Sequence, residues 1–252
     1  MNAPRGHSGS SSIASLERAL SKLGYCSRSK AGGLISGGAV KVNGQIILDP
    51  AQRVNTTKDK IEINGTVITK AENIYLMLNK PRGVLTTSSD EKGRDTVFSC
   101  FGNENFPHIF PVGRLDKASE GLLLFTNDTK WGNYITDPET KIFKTYHVQI
   151  NFPANDSVIE SIKNGITYNG ILLNVIDVKP IRTGEKNCWL EIILDEGKNR
   201  HIRNIFEALE IEVLRLIRIK IGMLELGSLG KGEYRHLSKA EIDNFAPKNA
   251  II

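Results

Sequence analysis

The chain has 252 residues, of which 40% are hydrophobic and 24% charged, with a formal net charge of +5. Such a length and composition fit one or two globular domains of ordinary make-up. The longest apolar runs, such as Gly121 to Phe125, are too short for a membrane-spanning helix. Residues 1–12 are rich in Gly and Ser, lack the apolar stretch of a secretory signal and are expected to form a disordered lead. Three odd, widely spaced cysteines (Cys26, Cys100, Cys188) suggest neither a disulfide framework nor a zinc site, and fit a reducing cytoplasm. Residues 1–66 carry nine Lys or Arg against four Asp or Glu, whereas residues 67–252 carry 24 of each. The whole positive excess therefore sits at the front, which suits an anionic partner or, on charge alone, a solubilising face.

In chain order, Leu16, Ala19, Leu20 and Leu23 recur at helical spacing and Gly24 stops that helix. Ser27 is placed to cap a second helix with Ala31, Leu34 and Ile35 on its apolar face, weakened by Gly32 and Gly33. Val40 to Ile47 predicts a hairpin about Asn43-Gly44, and Lys60 to Val67 repeats the pattern about Asn64-Gly65. Residues 13–66 thus make one small module, with Arg18, Lys22, Arg28, Lys30 and Lys41 on or beside its helices. Beyond Asn73 the periodicity predicts a strand at Ile74–Leu78 and a mobile polar loop at Asp90–Arg94. A buried strand follows at Gly121–Thr126, then a helix from an Asn127-Asp128 cap to about Ile135. Further on come a strand in Lys144–Phe152, a helix at Ser157–Lys163, a strand at Cys188–Gly197, a helix in Asn199–Leu209 and a strand from Glu212. Strands and helices mix without a βαβ repeat, which predicts an α+β domain with a mainly antiparallel sheet over residues 72–245.

No phosphate loop, dinucleotide fingerprint or Gly-x-Ser-x-Gly elbow is present, and the five histidines lack metal-ligand spacing, so no cofactor or metal is expected. Asp116 stands just before the buried run Gly121–Phe125, where a carboxylate needs a cationic partner. On pattern alone, turning a loop or capping a short helix is the commoner fate of such a residue. Glu120, four residues on, invites comparison with a glycosidase carboxylate pair, although a loop gives that spacing by chance.

Two stretches carry a family resemblance. The run "LSKLGYCSRSKAGGLISGGAVKVNGQII" resembles the αL-type RNA-binding domain first described in a ribosomal small-subunit protein. Members usually carry other residues where this chain has Ser29, Lys30 and Gly32. The resemblance implies that Arg18, Lys22, Arg28, Lys30 and Lys41 bind structured RNA. "GRLDKASEGLLLFTND", "KTYHV", "EGKNRHIRNIF" and "LNKPRG" resemble motifs of the bacterial ribosomal RNA pseudouridine synthases. His201, Asn204 and Ser119 stand where Gln, Arg and Thr are common.

The resemblance implies a catalytic Asp116 partnered by Arg203, and Tyr146 stacking on the base and moving a late proton. It also implies Arg114 holding the target nucleotide out of its helix, Ile202 as an apolar wall, and Lys80 with Pro81 near the substrate. Without it, Tyr146 reads as a routine sheet residue and Arg203 as an exposed helix charge. The implied activity is isomerisation of uridine to pseudouridine in ribosomal RNA, large subunit ahead of small, by a monomer acting on rRNA or an assembly intermediate. A non-catalytic RNA-binding or assembly factor with the same fold is the alternative.

Overall fold

The computed structural model describes residues 12–88 and 90–245, so all but the last residue of the expected lead lies outside the described residues. Two compact units are present. One comprises the residues up to Asn73 together with Asn105–Ile109, the other Ile74–Glu104 and the residues from Phe110 onward.

In the first unit β1 (Ile13–Ser15) leads into α1 (Leu16–Lys22), and α2 (Arg28–Ser36) follows. Leu16, Ala19 and Leu20 are buried as their spacing requires, and Gly24 at φ +78° takes the left-handed turn after α1. Ser27 caps α2, its hydroxyl accepting from Lys30 N at 3.2 Å. Then come β2 (Val40–Val42), β3 (Gln45–Ile46), β4 (Arg53–Asn55), β5 (Ile61–Ile63) and β6 (Thr66–Val67). Both Asn-Gly turns have positive φ at both residues, the geometry that matches the twist of a tight hairpin. The two hairpins join edge to edge through β2 and β5 in one antiparallel sheet, β3-β2-β5-β6. Val40, Val42, Ile61 and Ile63 turn inward onto Leu16, Leu20 and Ile35, and Val54 on β4 completes that core. The unit also takes in segments beyond residue 66: Ala71 N donates to Leu23 O at 3.1 Å and His108 N to Gly24 O at 2.9 Å.

The second unit is built on a nine-stranded sheet. Its elements are β7 (Tyr75–Lys80), β8 (Phe110–Val112), β9 (Glu120–Thr126), α3 (Thr129–Thr136), β10 (Lys144–Ile150) and α4 (Asp156–Lys163). There follow a hairpin β11 (Ile166–Tyr168) and β12 (Ile171–Leu173), then β13 (Asp177–Thr183), β14 (Cys188–Leu194), α5 (His201–Ala208), β15 (Val213–Ile221), β16 (Leu224–Glu225), β17 (Tyr234–His236) and α6 (Lys239–Asp243). The order β13-β14-β10-β15-β9-β7-β17 is antiparallel except where β9 lies parallel to β15. α4 and α5 pack a core against β10, β13 and β14, centred on Val148, Leu190, Ile205 and Phe206. Trp131 and Ile135 of α3 pack a second core against Met77, Leu122 and Leu124. Among the described residues no helix is long and apolar enough to cross a membrane.

The parallel seam depends on Gly121. A side chain there would place Cβ 2.3 Å from Arg218 O, and its φ of +102° is one that L side chains rarely adopt. Only glycine lets the start of β9 reach β15. One cross-strand row then runs Tyr146 (β10), Arg218 (β15), Gly121 (β9), Lys80 (β7). The expected polar loop at Asp90–Arg94 is held by an Arg94–Asp90 ion pair at 2.6 Å.

Candidate active site

Asp116 lies on the loop between β8 and β9, directly before that row. The loop is pinned through its main chain. Leu115 O accepts from Thr86 Oγ1 at 2.7 Å, Asp116 O from Lys80 Nζ at 3.1 Å and Lys117 O from Gly83 N at 2.8 Å. Ala118 O accepts from Arg203 Nη2 at 3.1 Å and Ser119 O from Lys80 Nζ at 2.8 Å. Five consecutive carbonyls are therefore each held by a donor, and Ser119 N closes a turn onto Asp116 O at 2.9 Å. The main chain that carries the Asp116 carboxylate is thus held in place before any substrate arrives.

Asp116 faces a cavity of about 350 Å³ whose wall includes Arg114, Tyr146 and Ile202. The apolar lining comes from both cores, with Ile202, Leu194 and Leu216 on one side and Val112, Ile135 and Ile221 on the other. Asp116 is the one acidic residue of that wall among the described residues, against Arg114, Lys144, Lys198, Arg200 and Arg218. Arg114 is exposed and Asp116 lies in the wall beside it. A second recess, lined by Thr86, Asp90 and Arg94, shares Arg114, Leu115 and Asp116 with the first.

Two expected residues stand elsewhere. Lys80 is 0% exposed, and its ammonium donates to Pro81 O as well as to Asp116 O and Ser119 O. With three donors on three carbonyls, it supports the loop from behind. Arg203, on α5, holds Ala118 O and forms no ion pair with Asp116 among the described residues. Burial and then the neighbouring Arg200 pull its guanidinium below the usual range, while Asp116 pulls it back. The attraction is present at longer range than a direct pair.

Glu120 is no partner carboxylate for Asp116. It is 3% exposed, accepts two hydrogen bonds from Arg215 at 3.0 and 3.1 Å and pairs with Lys231 at 2.7 Å. Burial would raise its pKa, but the bonds from Arg215 and Lys231 outweigh that and hold it below the carboxylate range. Both its oxygens are engaged, and it is not part of the cavity wall.

Sequence reasoning missed Lys144 and Arg218, which both line the cavity. In "RLIRIKI" Arg218 and Lys220 alternate with isoleucines and read as one solvent-facing row. A β-bulge in β15 breaks that alternation, because Tyr146 opposes Arg218 whereas Thr145 opposes Lys220. Leu216, Arg218 and Ile221 then share the cavity face, and Arg218 is buried.

In the first unit Arg18, Lys22, Arg28, Lys30 and Lys41 all reach solvent, and among the described residues none is in an ion pair. Arg28 and Lys30 stand in the first turn of α2, which has no acidic residue. Cations at a helix N-terminus are unfavourable by about 0.3–1 kcal/mol each, and they add to the positive potential that the helix end presents to an anion.

Comparison with known proteins gives two family matches: RNA pseudouridylate synthase over residues 74–208 and the S4 domain over residues 16–61. An RNA pseudouridine synthase of Rickettsia typhi is 38% identical over 224 residues, covering 88% of this chain and 91% of the relative. The ribosomal large subunit pseudouridine synthase B of Bacillus subtilis is 34% identical over 230 residues, covering 90% and 93%. Among solved structures, the crystal structure of a pseudouridylate synthase superposes with a TM-score of 0.63 at 30% identity, covering 92% of this chain and 99% of that one.

Proposed function

Because this chain belongs to the RNA pseudouridylate synthase family and carries an S4 RNA-binding domain, we propose that it isomerises a uridine of large-subunit ribosomal RNA with Asp116 as the catalytic carboxylate. The reaction breaks the bond from N1 of uracil to C1′ of the ribose, turns the base and joins C5 to C1′. No redox change or group donor enters it, so it needs no cofactor. Asp116 acts at the sugar, by attacking C1′ or by taking a sugar proton, and both routes use the same carboxylate.

Tyr146 supplies a ring for the base to stack on and a hydroxyl for the late movement of the C5 proton. A base in a stack has to come out before its bond to the sugar is reachable. Arg114, exposed beside the cavity, is placed to fill the vacancy, and Ile202 gives the flipped base an apolar wall. Lys80 and Arg203 work through Asp116 Cα by holding the carbonyls of its loop. The five cations of the first unit hold RNA phosphates. The large-subunit assignment is supported by the name of the Bacillus subtilis relative. On this reading the protein works as a monomer on cytoplasmic rRNA or its assembly intermediates.

The observation that carries the reading is the loop of five pinned carbonyls presenting one carboxylate to the cavity. Asp116→Asn is expected to abolish pseudouridine formation while thermal stability and RNA affinity stay near wild type. The measurement is chemical mapping of pseudouridines in large- and small-subunit rRNA with and without the protein, repeated with the variant. A site that disappears with the protein and returns with Asp116→Asn would remove Asp116 from the chemistry. No change at any site would favour a non-catalytic RNA-binding role.

A further inference from the structure

The roles above leave the buried Arg218 without a task. It is 6% exposed and lines the cavity, yet among the described residues its side chain makes a single hydrogen bond, from Nε to Leu122 O at 2.7 Å. Its Nη2 is buried without a partner among the described residues. Guanidinium has five N–H donors, and a buried one so poorly satisfied costs stability unless an acceptor arrives from outside. Lys144, on the adjacent strand β10, lines the same cavity. Burial, and then the charge of Arg218, pull the Lys144 ammonium below its ordinary range, with Asp195 opposing. The two cations are thus close enough to repel, on a wall whose neighbours Leu194, Leu216 and Ile221 are apolar. A surface of that kind suits a flat, weakly polar ring that acquires negative charge on its rim.

Uracil becomes such a ring during the proposed reaction. When the N1–C1′ bond breaks, its electron pair leaves with N1, and the base departs as an anion with charge spread onto its O2 and O4. The electron-poor C1′ is met by the Asp116 carboxylate, whose bond to C1′ breaks again as C5 attacks, or a C2′ proton passes to Asp116 and returns to C2′ as C5 joins C1′. When C5 then bonds to C1′, that charge is discharged. The C5 proton is lost and N1 gains one, so atoms and charge balance without a co-reactant. We propose that Arg218, backed by Lys144, is a further catalytic residue that donates to the uracil carbonyl oxygens and stabilises the departing base. This inference rests on the pseudouridine synthase reading. A phosphate oxygen of the target nucleotide is the other acceptor a guanidinium would take, and it predicts a different kinetic pattern.

The test uses the full-length protein and a short RNA carrying the mapped uridine, with a second RNA carrying 5-fluorouridine there. Fluorine makes uracil a better leaving group and so less dependent on a cation. Arg218→Met is expected to lower the single-turnover rate at saturating RNA by about 10²–10³-fold, the usual loss on removing one preorganised donor. RNA affinity should be little changed, Arg218→Lys should keep part of the rate, and the deficit in breaking the N1–C1′ bond, the step read on both RNAs because fluorine replaces the C5 proton, should shrink clearly on the fluorinated RNA. A wild-type rate in Arg218→Met overturns the inference. So does a loss confined to RNA affinity, which marks a phosphate contact, or an equal deficit on both RNAs, which marks a structural role. Should Arg218→Met fail to fold, Arg218→Lys carries the same comparison of the two RNAs. An inactive wild type overturns the parent reading along with this one, whereas an active wild type beside an unaffected variant overturns this inference alone.

Discussion

Lys80 couples the Asp116 loop to pH. Burial pulls its ammonium down to about 8, against the attraction of Cys100, Asp116 and Glu120, while Arg218 adds to the fall. An unfolded lysine titrates near 10.5, so between those values the unfolded chain binds more protons and this group makes stability rise with pH. Activity is expected to run the other way. A neutral amine has two donors for three carbonyls, and its lone pair repels the third, so the loop slackens. Single-turnover rate at saturating RNA should fall above pH 8 without a matching fall in Tm, and Cys100→Ser should retain that alkaline limb. A rate that stays flat well above pH 8 would show that the loop does not need the charge.

Individual residues were unequally legible. Asp116 and Tyr146 stand in motifs, and the cavity contains both. Lys80 stands in a motif too, but a sequence says nothing about which way an ammonium points, and here it points into main-chain oxygens. Arg218 was hidden because alternation groups it with the solvent-facing Lys220, and the extra residue that parts their faces lies between them in β15.

At the scale of elements, α2 is built with less helix propensity than its position demands. Gly32 and Gly33 lie in its interior, and a Cβ at either would meet nothing within 4 Å. Ala at each is expected to raise stability by about 0.5–1 kcal/mol, through the backbone entropy that glycine loses on folding. Thermal unfolding of Gly32→Ala, Gly33→Ala and the double variant checks this. An unchanged or lowered Tm would mean that the glycines relieve a strain the helix geometry does not reveal. The hairpins about Asn43-Gly44 and Asn64-Gly65 were plain from their turns. A third turn of the same chemistry, Asn169-Gly170, with φ +49° and +76°, joins β11 to β12 and gave equal warning, but its flanking strands are only three residues each. β13 had no such signal. Its Pro180 and its charges argue against a strand, and it is tolerated because β13 forms the sheet edge, where a missing N–H costs little.

Over the whole molecule, the charge of +5 is carried by the first quarter of the chain. Replacing Arg18, Lys22, Arg28, Lys30 and Lys41 together by Gln should leave the fold intact, because all five reach solvent. RNA binding should weaken, and the slope of log affinity against log salt should fall by about 0.7–0.9 for each phosphate that is no longer neutralised. Equilibrium binding at several salt concentrations measures this, and an unchanged slope would reduce the front of the chain to a solubilising surface. The presence of two units was readable from composition, from the change of pattern near Asn73 and from the two resemblances. The return of Asn105–Ile109 to the first unit was not, since a short loop segment carries no periodicity that reveals where it packs.

The parallel seam between β9 and β15 also bears on how the molecule assembles. Glu120 and Ile217, which meet there, are far apart in the chain. The hairpins form from near neighbours, but this closure has to wait for a long stretch of chain to be brought together, which makes such pairings slow. The site straddles that closure, with Asp116 just before β9 and Arg218 on β15. Growing chains and partly refolded molecules are therefore expected to hold RNA-binding surface before they hold a working site, because the chemistry waits on a long-range pairing.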